Sequence, residues 1–260
     1  MGKNKLKKFA EMETFTNVFQ CAMKDKTDTH PAVRMAGHWN EAFFHNTNPI
    51  VLELGCGRGE YTVGLAARCP DKNFIGVDIK GARLWAGAKQ AIQAGMTNVA
   101  FLRTNIEMLP DFFSTDEISE IWITFPDPQM KKETKRLTSS FFMQRYQRIL
   151  KNNGLIHLKT DSPFLSAYTR EMLRVNGYTV VADTNDLYSE QPDSNAEWPE
   201  AMALQTHYEQ QWLDRGMTIK LIAWQLQHKQ TFIEPDIEIE KDTYRSYGRN
   251  YTQHVSTTNH

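Results

Sequence analysis

Residues 51–59, V-L-E-L-G-C-G-R-G, restrict this chain more than any other stretch of it. A strand-like apolar run passes directly into three glycines set at every second position, and a helical pattern over residues 61–68 follows at once. Glycine carries no Cβ and accepts positive φ. Such a loop can therefore turn a strand sharply into a helix while its backbone stays open to a ligand at the helix N-terminus. Loops of this kind sit at the carboxyl edge of a parallel sheet.

The remaining sequence supplies that sheet. Short β-branched and aromatic runs at Ile50–Leu54, 73–78, 98–103, 120–125 and 154–160 alternate with stretches of helical period. Runs at 178–181 and 218–226 add two more strands, separated by Pro/Asp/Ser-rich sequence at 191–199 that reads as an exposed loop. The expected fold is α/β and Rossmann-like, a mostly parallel seven-stranded sheet with helices on both faces. The expected domain spans residues 50–228. Residues 1–49 form an N-terminal extension and 229–260 a tail, both too polar to count in the core.

The bulk numbers narrow the class. A length of 260 residues suits one α/β domain with extensions. With Lys+Arg at 30 and Asp+Glu at 31, the formal charge is -1, so any polyanion site must be local. The three cysteines form no C-x-x-C pair and are too sparse for a disulfide scaffold or a zinc site, and no metal is expected. No apolar run approaches a membrane span, and a cytoplasmic location is the expectation.

Two acids sharpen the loop. Glu53 lies two residues before Gly55, and Asp78 ends the next strand, about 20 residues on, where a carboxylate reaches ribose hydroxyls. Nicotinamide enzymes use G-x-G-x-x-G, whereas Gly55, Gly57 and Gly59 make G-x-G-x-G, which favours S-adenosylmethionine (SAM). In SAM enzymes the turn after the third strand lies near adenine, which points to Asn105 and Ile106, although Asn105 equally suits an ordinary turn.

A second feature follows the strand at 120–125. Phe125-Pro126-Asp127-Pro128 puts an aspartate between two prolines, at the edge where open α/β sheets bind ligands. Immediately downstream, residues 131–136 carry four cations, Lys131, Lys132, Lys135 and Arg136, which suit phosphate contact or simply a solvated helix start. In the tail, Tyr244, Arg245, Tyr247, Arg249 and Tyr251 interleave rings and cations.

With these motifs in order, the chain resembles the bacterial tRNA (guanine-N7)-methyltransferases over residues 50–226. The resemblance rests on the loop beginning at Glu53, F-P-D-P with its lysines, Thr160-Asp161 after the fifth strand, and Thr206-His207-Tyr208-Glu209. It implies a SAM-dependent methyltransferase fold and a tRNA substrate methylated on a variable-loop guanosine. SAM would contact Glu53, Asp78, Asn105 and Asp127, with Asp127 also the catalytic group. Lys131, Asp161 and Thr206 to Glu209 would face the nucleotide. The chain departs from the family at Gln129-Met130, where Trp-His is usual, at Asn105, usually an acid, and at T-H-Y-E, usually T-K-F-E. The residues alone leave open a small-molecule methyltransferase or a non-catalytic RNA-binding relative. Thr206-x-x-Glu209 also fits a capping box, and Asp161-Ser162-Pro163 fits a helix start. Oligomeric state is not legible.

Overall fold

A computed structural model describes residues 3–189 and 204–243. The loop expected at 191–199 and the tail residues Tyr244, Arg245, Tyr247, Arg249 and Tyr251 lie outside the described residues. The strands are β1 Val18–Gln20, β2 Ile50–Leu54, β3 Asn73–Val77, β4 Val99–Arg103, β5 Ile118–Thr124, β6 Leu150–Thr160, β7 Thr179–Thr184 and β8 Lys220–Leu226. They form one sheet in the order β1-β4-β3-β2-β5-β6-β8-β7. Among the described strands, β8 alone runs against the direction of the other seven. β2 and β3 are buried at every residue, as strands covered on both faces must be.

Helices cover both faces. The first face packs α1 (Lys3–Met12), α2 (Glu60–Arg68) and α3 (Gly81–Gln93) through Met12, Tyr61, Leu65, Leu84 and Ala88. On the other, α4 (Ser140–Tyr146) and α5 (Pro163–Asn176) bring Phe142, Tyr146, Leu165 and Met172 to the sheet. α5 starts as its sequence dictates: Ser162 is the N-cap, its hydroxyl accepting from Leu165 N–H at 2.9 Å, Pro163 fills the first turn, and Gly177 closes the helix at φ +60°.

Among the described residues the sheet has eight strands where the pattern predicts seven. The extra one, β1, comes from the N-terminal extension and pairs with β4. Three half-buried residues are too few to show a period of two, so tertiary pairing makes this strand. The extension also enters the core, contrary to its polar composition: Met12, Cys21, Ala32, Trp39 and Phe44 are buried. Trp39 is anchored by its indole N–H, which donates to the Phe112 carbonyl at 2.9 Å, and its ring stacks on Phe113. Likewise Asp242, in the polar tail, is 7% exposed.

A charged cluster is built into the sheet at β5 and β6. The Trp122 and His157 rings stack at 4.0 Å, and Glu120 accepts from Trp122 Nε1 at 2.7 Å. Glu120 also meets His157 Nε2 at 3.1 Å and Lys72 Nζ at 2.8 Å.

Candidate active site

The register brings five strand ends to one edge. Leu54 of β2 lies beside Val77 of β3 and Ile123 of β5; Val77 lies beside Leu102 of β4, and Ile123 beside Leu158 of β6. The chain leaves β2 for β3 and β4, then returns to β5 on β2's other side. A topological switch point therefore opens between the carboxyl ends of β2 and β5.

The glycine loop fills one wall of this crevice. Gly55, Gly57 and Gly59 adopt φ of +78°, +56° and +71°. Gly55 and Cys56 N–H both donate to the Val77 carbonyl, and Gly59 caps α2. Gly55 and Gly59 serve different ends. A Cβ at Gly55 would meet nothing within 4 Å, which leaves room for a ligand against the backbone. One at Gly59 would lie 2.6 Å from the Phe101 ring, so that glycine is required by packing. Opposite, Gly87 of α3 would drive a Cβ to 2.6 Å from the Arg58 carbonyl, showing how tightly α3 crosses the loop.

Both acids of the loop are held from behind. Asp78 accepts from Gly57 N–H at 2.9 Å and Lys80 N–H at 2.7 Å, fixing the loop to the end of β3. Glu53 accepts from Thr62 N–H at 2.8 Å, from the Thr62 hydroxyl by a short contact, and from the Thr124 hydroxyl at 2.7 Å. Burial pushes its carboxyl up to about 7 even though these hydrogen bonds pull the other way. Asn105 and Ile106 stand half-buried at the end of β4, where Asn105 precedes a short 3-10 helix without capping it through its side chain.

Asp127 is exposed at the end of β5, with Pro126 and Pro128 buried on either side. One carboxylate oxygen accepts from Gln129 N–H at 3.1 Å. Phe125 and Gln129 bracket it at φ +47° each, a left-handed conformation that non-glycine residues adopt at a cost. The basic run divides. Lys131 and Lys132 are exposed, while Lys135 pairs with Glu107. Arg136 is 6% exposed, with its guanidinium over the Phe164 and Tyr168 rings and donating at 3.2 Å to the carbonyls of Gln129 and Met130. It faces the loop, not solvent.

Asp161 is fully buried at the end of β6, and Lys220 Nζ reaches its carbonyl at 3.4 Å. Thr206 to Glu209 forms a capping box at the start of α6 (His207–Leu213). The same helix start is tied to α2, because His207 N–H donates to Glu60 at 2.8 Å. His207 and Tyr208 are exposed, whereas Glu209 is fully buried against Lys159 Nζ at 2.8 Å. Tyr188 donates to the same Glu209 oxygen at 2.6 Å. Burial pulls the Lys159 ammonium's pKa down while Glu209 holds it up.

The motifs did not expose Lys159, Tyr188, Thr62 or Thr124. Lys159 carried a usable signal, a lone cation between Leu158 and Thr160 in a strand otherwise buried at that end.

A Rossmann-like sheet with a glycine loop, two acids at the ends of β2 and β3, and further acids at the ends of β5 and β6 defines a methyltransferase architecture. A family model described as "Putative methyltransferase" matches residues 47–222. The chain belongs to the tRNA (guanine-N7)-methyltransferase family. A protein of that name from Bacteroides fragilis (strain YCH46) is 56% identical over 259 residues, 99% of this chain and 100% of the relative. One from Porphyromonas gingivalis (strain ATCC BAA-308 / W83) is 56% identical over 92% of this chain and 96% of its own. A more distant one, from Streptococcus suis (strain 05ZYH33), is 33% identical over 74% of this chain and 87% of its own. Among solved structures, the 16S rRNA methyltransferase KamB shares the fold, with a TM-score of 0.56 and 14% identity over 72% of this chain and 92% of its own. No helix among the described residues is long and apolar enough to cross a membrane.

Proposed function

We propose that this enzyme transfers a methyl group from SAM to N7 of a guanosine in the variable loop of tRNA, giving 7-methylguanosine, in the cytoplasm. The observation that carries the reading is that Asp127 and Asp161 follow the carboxyl ends of the adjacent strands β5 and β6, with β5 next to β2 and its glycine loop. The relatives' names supply the nucleobase and the atom.

The residues fit SAM. The empty space over Gly55 and the carboxylates of Glu53 and Asp78 suit a ligand with an ammonium group and a ribose. In this reading Gly55, Gly57 and Gly59 cradle the methionine end, Asp78 receives the ribose hydroxyls, and Asn105 and Ile106 flank the adenine. When bound, SAM supplies an electrophilic methyl group on a positively charged sulfur.

Guanine N7 holds an in-plane lone pair on the major-groove edge, so it reacts without first losing a proton. The protein's task is alignment and a field suited to positive charge arising on the base. Asp127, fixed by its prolines and its turn, borders both ligands and orients guanine. Asp161 and Glu209 are the acceptors for guanine N1–H and the amino group, and because both are enclosed here, guanine must part the Tyr188 and α6 contacts to reach them. Lys131 holds phosphate, with Lys132 and Lys135 on the flanking RNA, while His207 and Tyr208 line the approach from α6. Arg136 belongs behind the loop.

Incubation with labelled SAM and unmodified tRNA, followed by nucleoside analysis, tests this. Labelled 7-methylguanosine is the expected product. Label in another nucleoside changes the target atom, and no label in RNA overturns the substrate.

A further inference from the structure

The segment after β8 doubles back along α5 and touches it at both ends. Near the carboxyl end of α5, Lys229 Nζ donates to the Asn176 carbonyl, and Asn176 donates to the Ile233 carbonyl at 2.7 Å. Midway, Glu234 accepts from the Tyr168 hydroxyl and, at 3.0 Å, from Ser140 N–H, bridging α5 to the start of α4. At the amino end of α5, Asp242 accepts from the Ser162 hydroxyl and, at 3.0 Å, from Phe164 N–H.

That last contact is made beside Asp161. Ser162 follows Asp161 directly, and Asp242 thereby fixes the turn through which β6 presents it. The aromatic rings of the same helix carry the effect across to the second substrate loop. Phe164, whose N–H is held by Asp242, and Tyr168, whose hydroxyl is held by Glu234, form the surface on which the Arg136 guanidinium lies, 4.9 Å and 4.5 Å from the ring centroids. Arg136 in turn grips the carbonyls of Gln129 and Met130, closing the turn that contains Asp127. A charged group buried on both sides by rings and carbonyls has one low-energy place, so moving the rings moves the loop.

The geometry points to Asp242 as a positioning residue for methyl transfer: from the segment that follows the catalytic sheet, it sets the spacing of the Asp161 turn and the Asp127 loop through α5 and Arg136. The inference rests on the proposed substrate only for its kinetic consequence; its mechanical part stands without it. The glycine loop, on the far side of β5, is outside the relay.

The test uses the full chain with Asp242→Ala, the milder Asp242→Asn, which keeps an acceptor for Phe164 N–H, and Lys229→Ala at the opposite end of α5. Amide hydrogen exchange is followed over residues 125–132 and 51–60, beside SAM affinity and steady-state tRNA methylation. Expected for Asp242→Ala are faster exchange in 125–132 alone, SAM affinity within about twofold, and kcat/KM for tRNA down about tenfold, the scale of one charge-assisted hydrogen bond. Asp242→Asn should recover part of the loss, and Lys229→Ala should leave the loop unchanged. Arg136→Lys combined with Asp242→Ala should cost less than the product of the two separate losses. Unchanged exchange in 125–132, an equal effect from Lys229→Ala, or fully multiplicative losses overturns the relay. Failure of the wild-type enzyme to label tRNA overturns the substrate instead, and the exchange data still decide the relay.

Discussion

Asp127 and Glu53 are both acids at strand ends, yet their surroundings give them opposite characters. Asp127 stands exposed on a stiff loop, so its value lies in where it is fixed. Asp127→Ala is expected to lower kcat by roughly 10²-fold, as loss of one preorganised electrostatic group does; single-turnover methylation with labelled SAM measures it, and near-normal turnover removes Asp127 from the mechanism. Glu53 is buried, and its carboxyl is pushed up to about 7. A cationic ligand favours its ionised form, so binding must expel a proton below that pH. SAM affinity is therefore expected to fall as pH drops from 8 to 6, by up to about tenfold per unit below 7, and Glu53→Gln should flatten the dependence in calorimetric titrations. Glycine spacing made Glu53 legible in the sequence. Its two threonine partners were not, because Thr62 and Thr124 look like ordinary helix and strand residues until the strands are paired.

At the scale of elements, α6 is short and its outer residues His207 and Tyr208 are exposed, so its seat depends on few contacts. The fully buried Lys159–Glu209 pair joins it to β6. Removing one partner strands the other charge without water, and Lys159→Met is expected to cost about 3–5 kcal/mol. Adding Glu209→Gln should return part of that, as read from urea unfolding midpoints; a double-variant midpoint lower than that of Lys159→Met would show that the pair is not coupled. The alternation of strands and helices from β2 to β6 was readable because β2, β3 and β4 are largely apolar runs and β5 and β6 carry I-W-I and L-I-H-L towards their buried ends. β1 was not, since its three residues follow no period. The capping box in T-H-Y-E was also legible, but the sequence could not show that its glutamate turns inward to Lys159, a partner 50 residues away.

For the molecule as a whole, a net charge of -1 means that RNA attraction must be local. Replacing exposed Lys131 and Lys132 with alanine should weaken tRNA binding uniformly across sequences and reduce the slope of log K against log salt by about 1 per lost contact; an unchanged slope assigns both lysines to solvent. Global stability carries a separate acid signature. Burial raises the Glu120 pKa, but His157 and Lys72 outweigh it and hold the carboxyl down to about 2. Because its folded pKa is depressed, its contribution is complete above the unfolded value of about 4.3 and is lost as pH falls towards 2. Unfolding free energy should thus decline by about 3 kcal/mol across that window, and Glu120→Gln should remove most of the slope. The pairing of β1 with β4 has a consequence in time. Val18 lies opposite Phe101, so a growing chain exposes its first strand well before its partner exists. At about 5–20 residues per second that interval is several seconds long, and the N-terminal extension must dock onto a sheet already begun without it.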